Sequence, residues 1–284
     1  MKYPKKKVLG SIAVVAVAAL ALSACGAGGG AKEASAGTTK DGVTTLVVGA
    51  SPTPHAEILE FVQKNLAAKA GLKLDIKTYD DYVLPNTALS EGDLDANYYQ
   101  HKPYFDEQVK SQGYDFAHFK GVHIEPYALY SSKIKSVKDI PNGAKFGITN
   151  DPGNQARALE LLVDNDLLTL KDTGDKLPTI LDIKSNPKKF DFIETAPEQL
   201  ARSLQDVDLA IINGNFALEA GLNPANDSLL IEKAKGNPYA NFLAVRSQDA
   251  KNPAILKLDK LLHSPQVKAF IEKRWPSGEV LPAF

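Results

Sequence analysis

Five ring side chains, Tyr82, Tyr98, Tyr99, His101 and Tyr104, fall within 23 residues, and four of them lie within seven residues that also hold Asn97, Gln100 and Lys102. A buried strand is ordinarily built from Val, Ile and Leu, and a phenol or imidazole placed in one must find a hydrogen-bond partner. The cluster therefore reads as the wall of a partly wet pocket, with aromatic packing beneath a loop as the alternative. A second group with chemistry to offer is Arg157. It follows Asn150-Asp151-Pro152-Gly153-Asn154, in which Asn150 or Asp151 suits a helix N-cap and Pro152 the first turn. A cation close to a helix N-terminus is disfavoured by the helix dipole, and a bound anion would answer both. Backbone N–H groups and a guanidinium would then converge on one carboxylate, each charge-assisted bond contributing roughly 1.5–3 kcal/mol. The alternative is a solvated surface arginine.

Catalytic patterns are missing from the sequence. There is no GxSxG elbow, no HExxH helix and no kinase-type loop. Paired acids such as Asp80-Asp81 and Asp93 with Asp95 flank turns, where acids are mostly solvated or capping. The whole histidine stock is His55, His101, His118, His123 and His263, of which only His118 and His123 are close, and two ligands do not complete a typical metal site. No metal, no cofactor and no enzymatic activity are expected. An anchored hydrolase and a metal or oxyanion receptor remain as the competing readings.

The elements that must carry these residues are α/β in pattern. Thr44 to Ala50 is a short apolar run ending beyond a glycine, as in a buried parallel strand. Pro52 and Pro54 delay a helix until about Ala56, after which Ile58, Leu59, Val62 and Leu66 recur at helical spacing up to Gly71. Leu72 to Tyr79 alternates as a second strand, and a short helix over about Pro85 to Glu91 leads into the ring cluster. A related unit recurs later: a helix over Pro197 to Gln205, a strand over Leu209 to Ile212, then Asn213-Gly214-Asn215-Phe216. Ligands of open α/β sheets gather at the carboxyl ends of strands, and two such ends would face each other across a cleft. Glu125-Pro126-Tyr127-Ala128 and Asn237-Pro238-Tyr239-Ala240 echo one another where the chain would leave one domain and return to it, and read as hinge crossings.

The N-terminus carries an address. Lys2, Lys5, Lys6 and Lys7 precede 15 mostly apolar residues and Leu22-Ser23-Ala24-Cys25, too short a stretch to span a bilayer comfortably. Cys25 is the only cysteine, so no intramolecular disulfide forms. Without residues 1–24 and their four lysines, 29 of the 33 basic side chains face 34 acidic ones, a net charge of -5 that argues against nucleic acid as a partner. Residues 25–42, rich in Gly, Ala, Ser and Thr, suit a flexible spacer.

Leu22-Ser23-Ala24-Cys25 resembles the lipobox of bacterial lipoproteins, in which Cys25 is acylated. Asp81-Tyr82-Val83-Leu84-Pro85-Asn86 and Asp95-Ala96-Asn97-Tyr98-Tyr99-Gln100-His101-Lys102-Pro103-Tyr104 resemble the NlpA/MetQ lipoproteins, methionine-binding components of ABC importers. The resemblance continues through Asn150 to Asn154, Arg157-Ala158-Leu159, Leu181-Asp182-Ile183, Ile212-Asn213 and Pro238-Tyr239-Ala240-Asn241, covering nearly the whole chain beyond Cys25. It implies a two-domain periplasmic-binding-protein type II fold with two hinge crossings. Residues 1–24 would be a signal peptide, 25–42 a linker, 43–126 with 242–284 one domain and 127–241 the other, with crossings near 125–130 and 238–245. It further implies that Tyr82, Tyr99, His101 and Tyr104 enclose a methionine side chain and that Arg157 holds its carboxylate. Asn213 and Asn241 would serve the ammonium or polar end, with Asn154 beside them. The implied partners are methionine or a methionine-containing peptide, a permease with its ATPase subunit, and the outer face of the cell membrane; the chain itself is expected to be monomeric. Two departures stand out: Tyr99 where Phe is commonly expected, and Gly153 where the pattern has Thr.

Overall fold

The protein is described by a computed structural model over residues 36–234 and 236–284. Strand β1 (Thr38–Lys40) folds back antiparallel on β2 (Val43–Ala50), whose apolar run is buried at its end. Thr53 is extended between the two prolines, so α1 (Glu57–Asn65) starts only after them and buries Ile58, Leu59 and Val62. The helix breaks at Leu66, where φ reaches -127°, and a single tighter turn over Ala67–Ala70 carries the chain to Gly71 at φ +70°. The expected C-cap is thus in place, but on that turn rather than on α1. Strand β3 (Leu72–Thr78) runs parallel to β2 and α2 (Leu84–Glu91) ends at a left-handed Gly92. There follow β4 (Ala96–His101), α3 (Lys102–Gln112) and β5 (Phe116–Ile124).

A second sheet is built from β6 (Ala128–Tyr130) and β7 (Lys145–Thr149), then, beyond α4 (Pro152–Val163) and the small pair β8 (Thr169–Leu170) and β9 (Ile183–Ser185), from β10 (Asp191–Thr195). Helix α5 (Pro197–Ser203) leads to β11 (Leu209–Ile212), and α6 (Gly214–Glu219) and α7 (Pro224–Asp227) lead to β12 (Leu230–Ile231). The chain then returns to the first sheet as β13 (Asn241–Arg246), followed by α8 (Pro253–Leu262), α9 (Pro265–Arg274) and β14 (Leu281–Pro282). The sheet orders are β1-β2-β4-β13-β5-β14, with β3 on β2, and β10-β7-β11-β6-β12. This is the α/β architecture the strand and helix periods predict.

Each sheet has its own core. Leu46, Val48, Ile58, Leu243 and Leu258 pack in the first, and Phe146, Ile148, Leu159 and Ile211 in the second. Each such side chain contributes roughly 1.5–3 kcal/mol of burial. A third cluster joins Tyr82, Tyr99 and Tyr104 to Tyr130, Ile212 and Phe216, so rings from before α2, from β4 and from α3 share a core with residues of β6, β11 and α6.

Both sheets lie in the compact unit that begins at residue 35. Two boundaries differ from the sequence reading. The spacer drawn over residues 25–42 meets the folded body early. Ala36 is buried, its N–H donates to Asp249, and the Gly37 N–H donates to Asp95. Finally, the segment 238–245 is in large part a central strand: β13 pairs antiparallel with both β4 and β5, and the link between sheets is instead residues 232–240. The leader over 1–24 and Cys25 lie outside the described residues.

Candidate functional site

The ends of five segments converge on one place. Strand β4 ends at His101, Tyr104 lies in the first turn of α3, and the antiparallel register sets Asn241 of β13 opposite His101 on one side and His123 of β5 on the other. Helix α4 brings Asn154 and Arg157, and the turn after β11 brings Asn213. All eight residues singled out in the sequence, Tyr82, Tyr99, His101, Tyr104, Asn154, Arg157, Asn213 and Asn241, line a single cavity.

The ring cluster divides between its two readings. Tyr98 is a core residue whose hydroxyl meets Nδ1 of His123, whereas its neighbour Tyr99 points to the cavity, as successive strand residues face opposite ways. The hydroxyls of Tyr99 and Tyr104 both donate to the carbonyl of Tyr82 at 2.8 Å, and the Tyr82 hydroxyl donates to Asn215 at 2.5 Å. The hydroxyl that Tyr99 adds over Phe therefore has a partner within the wall. Ring centroids lie 5.8 Å apart for Tyr82 and Tyr99 and 5.7 Å for Tyr82 and Tyr104, so the wall is a connected aromatic surface.

The polar side is a chain of short contacts. Asp151 caps α4 by accepting from the Asn154 N–H at 2.8 Å, and also takes the Asn154 amide at 3.0 Å. That leaves the Asn154 carbonyl oxygen turned to His101 Nε2 at 2.9 Å and to the Asn213 amide at 2.8 Å. Nδ1 of His101 accepts from the Tyr104 N–H, so Nε2 bears the proton and the ring is neutral. Burial, and then the nearby Arg157, push the His101 pKa down to about 3.

A pH prediction follows from that ring. With a folded pKa near 3 and an unfolded one near 6.5, the unfolded chain takes up a proton that His101 refuses, so stability is lost as pH falls below 6.5. Between pH 6 and 5, urea denaturation of the His101→Gln variant should show a slope shallower than that of the unchanged protein by on the order of 1 kcal/mol per pH unit. Equal slopes would mean that the ring is charged in the fold.

Arg157 has a partner that its sequence position did not reveal. Its Nε and Nη2 donate to the two oxygens of Glu232 at 3.0 and 2.6 Å, and Nη2 also donates to the Glu125 carbonyl at 3.0 Å. The guanidinium lies over the rings of Tyr239 and Tyr127, 4.2 and 4.9 Å from their centroids. It is buried, so the solvated-arginine reading falls, and the anion at the helix start is Asp151 of the chain itself. No hydrogen bond from its Nη1 is found among the described residues. The two tyrosines are those of the echoed Pro-Tyr-Ala segments, so that echo marks the walls of the arginine site as well as the passages between sheets.

Histidine placement also departs from expectation. His118 stacks on Phe242, with centroids 4.5 Å apart, while His55 and His123 approach to 4.7 Å. With Glu125, these two bring three ligand-type atoms within 4.8 Å of one another. Within the fold His123 Nε2 bonds Glu125 at 2.8 Å and His55 Nε2 bonds Asn241 at 3.1 Å, while Nδ1 of His55 is buried with no partner among the described residues. Glu125, Gln100, Gly214 and Asn215 complete the cavity lining, and none of them was singled out as a ligand residue from the sequence. Gln100, inside the ring cluster, and Asn215, in the polar segment after β11, carried a local signal.

The family model for NlpA lipoprotein matches residues 46–284. The chain belongs to the NlpA lipoprotein family. Among proteins similar to this NlpA-family chain is the methionine-binding lipoprotein MetQ of Bacillus subtilis, 39% identical over 282 residues and covering 98% of each chain. The D-methionine-binding lipoprotein MetQ of Escherichia coli K12 is also 39% identical, over 83% of this chain and 86% of its own. A nutrient binding protein from Burkholderia cenocepacia, solved bound to methionine, superposes with a TM-score of 0.81 at 44% identity, covering 84% of this chain and 100% of its own. Within the family pattern, Gly153 has a local reason here. A Cβ at that position would lie 3.0 Å from the Tyr104 Cα, so the absent side chain lets α4 sit against the start of α3.

Proposed function

We propose that this protein is the extracytoplasmic receptor of an ABC importer for methionine. The observation that carries the reading is the one cavity lined by all eight candidate residues, in a chain whose MetQ relatives are named for binding methionine or D-methionine and whose Burkholderia neighbour is bound to it. The rings of Tyr82, Tyr99 and Tyr104, with His101, take the thioether, each aromatic edge adding about 0.3–1.5 kcal/mol. Nη1 of Arg157 takes the carboxylate, and Asn154, Asn213 and Asn241 serve the polar end.

The two sheets act as lobes that close about residues 125–127 and 232–240, and the closed form docks on a permease with its ATPase subunit. The receptor is non-enzymatic, monomeric and tethered by acylated Cys25. Among the described residues, no helix is long and apolar enough to cross a membrane, which suits a lipid tether.

Calorimetric titration of protein stripped of ligand by denaturation and refolding tests the reading. Methionine should bind one to one, and at ten times its dissociation constant it should raise stability by about 1.4 kcal/mol through mass action. No heat and no change in stability would refute it.

A further inference from the structure

Among the described residues, Glu125 and Arg157 are the only carboxyl and guanidinium groups lining the cavity; burial pushes the Glu125 pKa up, and His55, Arg157 and the Asn215 N–H hold it down. They are not equivalent. Arg157 is compensated within the fold by the forked pair with Glu232. Glu125 is buried with 6% of its surface exposed and has no side-chain ion pair with a lysine or arginine: its carboxylate meets the imidazoles of His123 at 2.8 Å and His55 at 3.3 Å, and Arg157 acts on it only from beyond that contact. Burial pushes the His123 pKa down to about 3 and the His55 pKa to about 4, so neither ring is charged near neutrality. A buried carboxylate without a cation is costly, and it is retained where something completes it.

Both nitrogens meet the same oxygen, Oε1, and the Asn215 backbone N–H also hydrogen-bonds to the carboxylate, whose Oε2 lies on the Gly214 side. Gly214 opens the room around it: a Cβ there would lie 2.9 Å from Oε2 and 2.5 Å from the Glu125 Cβ. A carboxylate offers about four lone-pair sites, more than these contacts use.

We propose that Glu125, held at one oxygen by His55 and His123 and facing the cavity that Arg157 also lines, is the counter-charge for the α-ammonium of the bound amino acid. This rests on the reading of the cavity as an amino-acid site and deepens it. Arg157 and Glu125 together match a zwitterion, and Glu125 makes the free amino group a condition of tight binding. The asparagines orient that group without supplying charge.

The test compares methionine with 4-(methylthio)butanoate, which keeps the carboxylate and thioether and lacks the ammonium. The unchanged protein should prefer methionine by roughly 100-fold, and Glu125→Gln should weaken methionine by roughly 30-fold or more while shifting the analogue less than about threefold, so the preference collapses. A preference that survives Glu125→Gln overturns the proposal. If that variant does not fold, Glu125→Asp, which withdraws the charge by one methylene, must weaken methionine more than the analogue, and an equal loss on both overturns it. Failure of the unchanged protein to bind methionine at all is a different result: it removes the amino-acid reading of the cavity itself.

Discussion

Arg157→Ala should lower methionine affinity by about 2–4 kcal/mol, because truncating one partner of a buried, hydrogen-bonded charge pair leaves the other without compensation. The group removed is buried and held on several sides, by Glu232, by the Glu125 carbonyl and by the faces of Tyr127 and Tyr239. A ligand carboxylate reaching it meets a donor whose geometry is set before binding, and little ordering cost remains. The same variant should lose folding stability, since Glu232 keeps a largely buried carboxylate whose cation has gone. Calorimetry and urea denaturation together separate the two effects. Arg157→Lys retains the charge but not the planar fork and should fall between. Unchanged affinity in Arg157→Ala, in folded protein, would remove Arg157 from the ligand.

Gly214→Val should be the most damaging change at the turn after β11, with an expected stability loss of about 3 kcal/mol from overpacking. The reason is space rather than backbone freedom. The Cβ of any residue at 214 would stand 2.5 Å from the Glu125 Cβ, and neither partner is the far end of a flexible side chain. Relief must come from moving the start of α6 or the strand end that holds Glu125, and either shift displaces Asn213 and Asn215 beside the cavity. Methionine binding should therefore weaken together with stability. A variant of native stability and affinity would show that the turn yields without disturbing the site.

The local elements were legible because they depend on spacing alone. The period-two and helical patterns of Leu46 to Leu74 give β2, α1 and β3, the prolines at 52 and 54 delay the helix, and Gly71 and Gly92 close their turns in left-handed conformation. The eight cavity residues were named through family resemblance and chemical type, both properties of the linear chain. What could not be read was which residues answer them across distance. Glu232 lies 75 positions from Arg157 with no motif around it, and the division of Tyr98 from Tyr99 depends on which face of β4 meets which core.

The trio of His55, His123 and Glu125 shows the same limit. His118 and His123 are neighbours in sequence, yet the approach of His55 from the turn before α1 and the pairing of β5 with β13 make His55 the neighbour in space. The order of residues thus determined the α/β elements, the family and the chemical kinds of group available to a small zwitterionic ligand. Strand register and the packing of two sheets decided how those groups are paired, which charges are compensated and which face the cavity, because pairing energies depend on distances that folding alone sets.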